Sequence, residues 1–154
     1  MEYVSSSSSS ESQNVFLEAL ESKDDRKSLI LYRGRLSFVI MNLYPYNNGH
    51  LLIVPIRKVA SMIDLDKDEL KEIMFLAQNS MRIIKEILKA DGFNFGLNNG
   101  KCAGAGIDDH AHFHIVPRWN GDNNFMPVVG NTRVIVQGLH DTYDQLHPSF
   151  QEIY

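Results

Sequence analysis

His110-Ala111-His112-Phe113-His114-Ile115-Val116 is the stretch of this chain that says most about its fold and its chemistry. Side chains of a β-strand alternate between its two faces and repeat every ~6.6–7 Å on one face. A strand over His110–Pro117 would therefore turn all three imidazoles to one face and the intervening apolar side chains to the core. A single histidine is usually a hydrogen-bonded packing residue, but three on one face are hard to explain by packing. The stretch predicts a strand that carries a functional site.

Working outward, the rest of the chain reads as strands gathered around one long helix. The helix begins at Asp66, which with Glu69 fits a capping box, and its apolar residues recur at helical spacing until Gly92, which is placed to end it. Strands that do not alternate with helices predict the α+β class. We expect a short N-terminal helix from Val15 to near Ser22 and helical turns over Asp141–Leu146. The predicted strands are Ser28–Tyr32, Leu36–Asn42, His50–Ile56, Phe93–Leu97, His110–Pro117 and a short one at Thr132–Val136.

Length and composition exclude several classes of protein. The 154 residues fit one domain, which we place at 14–154, while residues 1–13 include the run Ser5–Ser10 and are expected to be disordered. A net charge of −4 argues against an extended nucleic-acid surface. The chain has no apolar run of the about 20 residues that a membrane span needs. The single cysteine, Cys102, cannot form an internal disulfide, which fits the cytoplasm.

Two chemistries suit three clustered histidines. One is a zinc site, since zinc takes three histidines and keeps an open position. The other is nucleophilic catalysis, in which a neutral imidazole attacks phosphorus. The glycine-rich loop Gly100–Gly106 precedes the histidines, and such loops turn backbone amides toward phosphate. Arg118 follows and adds positive charge. A metal site would need no such phosphate cradle, so the surroundings favour the nucleophile.

The histidine stretch resembles the signature of the histidine triad family, His-x-His-x-His followed by two apolar residues. Asn42, Pro45 and Gly49–Pro55 resemble the family's other marker region, and the likeness covers roughly Leu29–Arg118. The run Asn98–Gly106, together with Pro117–Pro127, resembles the branch of fragile-histidine-triad hydrolases and bacterial diadenosine tetraphosphate phosphorylases. The resemblance implies a histidine triad fold, a mainly antiparallel sheet of about five strands with one long helix, and a homodimer.

The resemblance also implies roles for individual residues. His112 matches the nucleophile, His114 the residue that contacts the α-phosphate, and His110 a flanking supporting histidine. His50 matches a histidine behind the site that sets which ring nitrogen carries the proton. The implied substrate-binding positions are Asn42 at the ribose, Asn99 at the phosphate or leaving group, and Ala105, Gly106, Ile107 and Asp108 in the phosphate loop, with Phe38 either a wall of the base pocket or a core residue.

Two departures from the family's pattern matter. Ile107 and Asp108 stand where serine, threonine or glutamine is frequent. A carboxylate repels phosphate, which leaves three alternatives for Asp108: it points away, it binds the backbone of its own loop, or it donates a proton to the leaving group. Some relatives bind metal through an N-terminal cysteine pair, which Ser10–Phe16 lacks, so we expect no structural metal.

The activity implied is cleavage of dinucleoside polyphosphates such as diadenosine tetraphosphate, or of related nucleotides, by hydrolysis or nucleotidyl transfer through a nucleotidyl-histidine. We expect no required cofactor, with magnesium entering through the substrate's phosphates. The alternatives are a purine nucleoside phosphoramidase, a nucleotide-binding regulatory module with weak catalysis, and a zinc-dependent protein that uses the three histidines as ligands.

Overall fold

The computed structural model describes residues 14–122 and 138–153. The serine run and the strand predicted at Thr132–Val136 lie outside these residues. None of the helices described is both long and apolar enough to cross a membrane.

A five-stranded sheet is the centre of the described structure. Every neighbouring pair of strands is antiparallel, in the order β1-β2-β3-β5-β4. The prediction of an α+β fold with an antiparallel sheet of about five strands is confirmed. The strands are β1 (Ile30–Arg33), β2 (Ser37–Met41), β3 (Leu51–Pro55), β4 (Gly92–Leu97) and β5 (Phe113–Arg118).

Within the described residues, four α-helices accompany the sheet. The predicted N-terminal helix is present, while the one-turn helix after it and the full length of the C-terminal helix were not foreseen. That last helix continues through Pro148 because its apolar side is buried, and Tyr143 donates a hydrogen bond of 2.9 Å to the carbonyl of Ile30 in β1. The helices are α1 (Val15–Glu21), α2 (Asp25–Ser28), α3 (Lys67–Leu88) and α4 (Leu139–Phe150).

The long helix α3 begins as predicted and ends earlier. Asp66 is its N-cap, and Asp66 with Glu69 forms the complete capping box. The prediction that Gly92 ends the helix is wrong, because Lys89 takes the left-handed conformation (φ 57°) and closes it. The backbone N–H of Asp91 then donates to the carbonyl of Arg118, and the chain enters the sheet as β4.

The two faces of the sheet have different neighbours. α3 packs against β2, β3 and β5. Phe113 and Ile115 of β5 are buried, whereas His114 between them is half-buried on the opposite face, as the alternation predicts. Ile40, Leu52 and His114 are register partners across β2, β3 and β5 and form one row on that face.

Candidate active site

A cavity of ≈ 710 Å³ lies over the row formed by Ile40, Leu52 and His114. This volume is within the range of small-molecule sites. α1 forms one wall, through Val15 and Phe16, and the glycine-rich loop forms another. The row therefore places His114 on the floor of a pocket large enough for a nucleotide.

β5 begins at Phe113, so the predicted strand over His110–Pro117 starts three residues too early. The reason is a contact outside the sheet, since the N–H of Ala111 donates to the carbonyl of Val59. His110 and His112 therefore precede the strand, so the alternation of side chains between the two faces of a strand does not govern where they point. His112 and His114 line the cavity, with ring centroids 5.0 Å apart, whereas His110 does not line it.

His112 has its lone pair on the nitrogen that a nucleophile would use. Its Nδ1 lies 2.9 Å from the backbone carbonyl of His110. A carbonyl oxygen only accepts, so Nδ1 carries the hydrogen and Nε2 of the neutral ring carries the lone pair. The ring is 6% exposed and packs 5.2 Å from the ring of Phe16, centroid to centroid. His112 is a shielded imidazole, and the hydrogen bond that its Nδ1–H donates fixes the orientation of the ring.

His114 has the opposite arrangement, set by a chain of hydrogen bonds. The N–H of Tyr46 donates to Nδ1 of His50 at 3.1 Å, so the hydrogen of His50 lies on Nε2. That Nε2–H donates to Nδ1 of His114 at 2.9 Å. Nδ1 of His114 is thus an acceptor, and its hydrogen lies on Nε2. Beside the lone pair of His112, the site holds a hydrogen-bond donor.

The pKa values of His50 and His114 agree with neutral rings. Burial, together with the nearby rings of His114 and His112, lowers the pKa of His50 to about 3. Burial and His112 lower the pKa of His114 to about 4. Both imidazoles are therefore neutral near pH 7, which the hydrogen-bond chain requires, because each ring both donates and accepts.

His110 is fully buried and has both ring nitrogens engaged. Its Nε2 donates to the carbonyl of Pro55 at 2.7 Å, and its Nδ1 lies 3.0 Å from Nδ2 of Asn14. Burial lowers the pKa of His110 as well. The expectation that three imidazoles project together therefore fails for His110. Its ring is bonded to the segments beside it and does not line the cavity.

The predicted polar contacts divide between the cavity and other places. Asn42 lines the cavity, and its Oδ1 accepts from the N–H of Tyr44 at 3.0 Å. Asn99 is exposed and its Oδ1 accepts from the N–H of Met62 at 2.9 Å, whereas Asn98 lines the cavity. Alternation could have indicated this, since residue 98 is two positions on from Gly96, the partner of His114.

The glycine-rich loop reaches the cavity at fewer positions than the resemblance implies. Gly106 and Ile107 line it, as does Gly104, whose φ of 93° favours glycine. Ala105 is buried outside the lining. Asp108 is exposed and also lies outside the lining.

The wall formed by α1 was not expected from the sequence. The short helix was predicted, but no pattern in it indicated a place beside the histidines, because that place depends on tertiary packing. Phe38, left open between pocket wall and core, is fully buried and does not line the cavity. The unforeseen lining residues include Val15, Phe16, Glu18, Ala19, Ser22, Lys27, Ser28 and Tyr46.

Two neighbouring imidazoles that line one cavity, one with an accepting and one with a donating Nε2, together with this antiparallel α+β sheet, are the features of a histidine triad protein. Residues 23–121 match the HIT domain, and the chain belongs to that family. The matched residues contain the sheet, α3 and all four of the histidines described above. α1 precedes them.

Two curated relatives and one solved structure are similar to this chain. The chain is 46% identical over 118 residues to a Mycobacterium tuberculosis protein named AP-4-A phosphorylase, covering 77% of this chain and 60% of that one. It is 38% identical over 93 residues to the bis(5'-adenosyl)-triphosphatase of Dictyostelium discoideum, covering 60% of this chain and 62% of that one. A hypothetical histidine triad nucleotide-binding protein from Sulfolobus tokodaii has a TM-score of 0.66 at 25% identity, covering 80% of this chain and 83% of that one. The chain therefore spans less than two thirds of the length of both curated relatives.

Proposed function

We propose that this protein cleaves dinucleoside polyphosphates by transferring a nucleotidyl group to His112 and then to a small acceptor. The observation that carries the proposal is the pair of nitrogen assignments at the cavity. Nε2 of His112 holds a lone pair, while Nε2 of His114 holds a hydrogen. A phosphoryl group between them would meet a nucleophile and a hydrogen-bond donor at once.

In the first step, the lone pair on Nε2 of His112 forms a bond to the α-phosphorus. The bond from that phosphorus to the bridging oxygen breaks, and its electron pair leaves with the remaining nucleoside polyphosphate. The attached imidazole gains a positive charge, which the hydrogen bond from Nδ1 to the His110 carbonyl stabilises. His114 donates its Nε2–H to an oxygen of the phosphoryl group, where negative charge is concentrated.

In the second step, an acceptor oxygen forms a bond to the same phosphorus and the phosphorus–nitrogen bond breaks. The electron pair of that bond returns to Nε2 of His112, which restores the neutral ring. With water as acceptor the adenylyl group leaves as AMP and one proton passes to solvent. With inorganic phosphate it leaves as ADP. The printed names of the two curated relatives support the substrate class and include both acceptors, since one is a phosphorylase and the other a triphosphatase.

The test is turnover of diadenosine tetraphosphate by the wild-type protein and by His112→Ala. We expect the variant to lose turnover by at least about a thousandfold, since removal of a covalent nucleophile leaves only binding and electrostatic effects. Binding of AMP, measured by calorimetry, should change little. The matched control is His140→Ala, which removes an exposed histidine of α4 and should leave both quantities unchanged. Undiminished turnover by His112→Ala would refute the proposal.

Substrate comparison separates this activity from the alternatives. We expect faster turnover of diadenosine tetraphosphate than of adenosine phosphoramidate; the reverse order would indicate a phosphoramidase. Tight AMP binding with negligible turnover of either compound would indicate a binding module. Chromatography of the products with and without added phosphate identifies the acceptor, because attack on the α-phosphorus gives ATP with AMP when water accepts and ATP with ADP when phosphate accepts.

We further propose that the site needs no resident metal. Both ring nitrogens of His110 are occupied by Pro55 and Asn14, and Nδ1 of His112 and of His114 is occupied as well. The three histidines thus have no common coordination position. A zinc-selective chelator should leave turnover unchanged, while magnesium acts through the substrate's phosphates. Loss of turnover with the chelator, restored by zinc, would contradict this proposal.

A homodimer is proposed from the edge of the sheet. β4 has no second neighbour within the described residues, and Asn94, Phe95 and Gly96 on it are exposed. An unpaired strand edge can pair with a second copy across a two-fold axis. Light scattering should give twice the 17.5 kDa of one chain, and Phe95→Lys should shift the protein toward the monomer. A monomeric wild-type protein would refute the proposal.

The cytoplasm is the proposed compartment. Its support is the single cysteine of the chain, since Cys102 is free and exposed and a reducing environment suits such a thiol. Imaging of the tagged full chain would test this proposal, and accumulation in an oxidising compartment would contradict it.

A further inference from the structure

Asn14 connects the first helix to the histidines. Its Oδ1 accepts from the N–H groups of Phe16 and Leu17 at 3.0 and 3.1 Å, so it is the N-cap of α1. These two donors fix which end of the amide faces the helix. The Nδ2 end therefore faces His110, and it lies 3.0 Å from Nδ1 of that ring. Asn14 precedes residue 23, where the match to the HIT domain begins.

The bond from Asn14 is compatible with only one neutral form of His110. Nε2 of that ring lies 2.7 Å from the carbonyl of Pro55, and a carbonyl only accepts, so Nε2 carries the hydrogen. Nδ1 then carries the lone pair and accepts from Asn14. The fully buried ring is held from both ends, and no rotation or change of tautomer preserves both bonds.

The ring of His110 in turn holds the peptide group that orients His112. The carbonyl of His110 accepts the Nδ1–H of His112 at 2.9 Å. Phe16, at the start of α1, packs against the rings of His110 and His112 with centroids 5.4 and 5.2 Å away. The N-terminus of α1 thus contacts the histidines in two ways, through the amide of Asn14 and the ring of Phe16.

We propose that Asn14 is a positioning residue, which fixes the tautomer and orientation of His110 and, through the His110 carbonyl, aims Nε2 of His112 at the substrate. Asn14 does not itself line the cavity, so its effect is on the rate of transfer more than on nucleotide binding. The kinetic part of this inference rests on the proposed function. The structural part concerns the protonation of His110 and can be measured without a substrate.

Two substitutions separate this role from capping of the helix. Asn14→Ser keeps an N-cap side chain, but its short hydroxyl cannot also reach His110. Asn14→Asp keeps the cap and the shape, but its carboxylate can bond to Nδ1 of His110 only when Nδ1 is protonated, which gives the ring its second proton. The matched control is Asp24→Asn, the reverse exchange at the N-cap of α2.

The expected kinetics follow from these bonds. Asn14→Ser should lower kcat by about five- to tenfold, the equivalent of one hydrogen bond, with KM within about twofold of wild type. Asn14→Asp should recover most of the lost kcat at mildly acidic pH, where His110 takes the second proton. As the pH rises through the pKa of His110 in that variant, the proton and the bond are lost and kcat should fall to that of Asn14→Ser. Asp24→Asn should match wild type.

The charged groups around His110 set where that transition falls. Asp109, which pairs with Lys58 at 3.0 Å, favours the proton on His110, whereas His112 and Lys58 oppose it. A carboxylate at position 14 would add a second favourable charge next to Nδ1. None of the three neighbours is altered in the variants, so a difference in pH dependence between Asn14→Asp and wild type reports on residue 14.

Nitrogen-15 NMR of the imidazoles gives a readout that helix stability alone would not change. In the wild type we expect His110 to show a protonated Nε2 and an unprotonated Nδ1, and in Asn14→Asp two protonated nitrogens at mildly acidic pH. A hydrogen on Nδ1 of wild-type His110 would overturn the proposal, as would wild-type kcat in Asn14→Ser. If the wild-type protein turned over no dinucleoside polyphosphate, the proposed function would fail while the spectra still decided the inference about Asn14.

Discussion

Acidification should destabilise this protein, and His50 should account for a defined part of the loss. His50 is 1% exposed and its pKa is lowered from 6.5 to about 3, mainly by burial. Above the unfolded pKa the ring is neutral in both states, and its contribution to stability is complete. As the pH falls below about 6.5, the unfolded chain binds a proton that the folded chain does not, so the free energy of unfolding falls.

The size of the effect follows from the pKa difference. Each pH unit between the two pKa values costs about 1.4 kcal/mol, which gives a loss of about 2 kcal/mol from His50 between pH 7 and pH 5. This figure depends little on the folded pKa as long as it stays below about 4, because the folded ring is then neutral throughout the interval. His114, with its pKa at about 4, acts in the same direction.

Urea unfolding at the two pH values, at constant ionic strength, measures the loss, and His50→Gln isolates the part due to His50. Glutamine offers an acceptor for the N–H of Tyr46 and a donor for Nδ1 of His114, but it does not titrate. Between pH 7 and pH 5, the free energy of unfolding of the variant should fall by about 2 kcal/mol less than that of wild type, whatever the stability of the variant at pH 7. Equal losses in the two proteins would refute the assignment of a neutral, buried His50.

Three further outcomes are expected from the same contacts. Phe38→Leu should lower the free energy of unfolding by about 1–2 kcal/mol, since the ring is fully buried, and leave AMP affinity unchanged. A tenfold loss of AMP affinity, measured by calorimetry, would indicate that Phe38 contacts the nucleotide. Lys89→Gly should raise the free energy of unfolding by about 0.5–1 kcal/mol, because glycine tolerates the left-handed conformation that closes α3. An unchanged free energy of unfolding in urea would contradict this. Asn98→Ala should weaken AMP binding while Asn99→Ala leaves it unchanged, and the reverse result would place Asn99 at the ligand.

The sequence predicted those features that depend on local periodicity or on short-range hydrogen bonds. The capping box of Asp66 and Glu69 is formed within one turn, and the alternation of Phe113, His114 and Ile115 follows from the strand itself. Predictions failed where a distant contact decides the outcome. β5 starts late because the N–H of Ala111 bonds to Val59 outside the sheet.

The place of α1 in the site is the clearest case of a feature that sequence patterns do not contain. Asn14 and His110 are 96 positions apart, and nothing in the composition of α1 indicates that its N-cap also donates to a ring nitrogen. Asparagine is a common N-cap residue, so its presence at position 14 is explained without the second bond. Only the packing of α1 over the histidines shows that the unused end of the amide has a partner.

In the proposed mechanism, one residue type supplies both the nucleophile and the donor, because each ring has a different partner at Nδ1. His112 meets a carbonyl oxygen there, which keeps the hydrogen on Nδ1 and leaves the lone pair on Nε2. His114 meets the Nε2–H of His50 there, which reverses the assignment. The difference therefore lies in the neighbours and ultimately in two backbone groups, the carbonyl of His110 and the N–H of Tyr46. Because backbone groups cannot exchange donor for acceptor, the hydrogen assignments at Nδ1 of both rings would stay fixed through the proposed cycle, in which His112 gains the nucleotidyl group and then loses it.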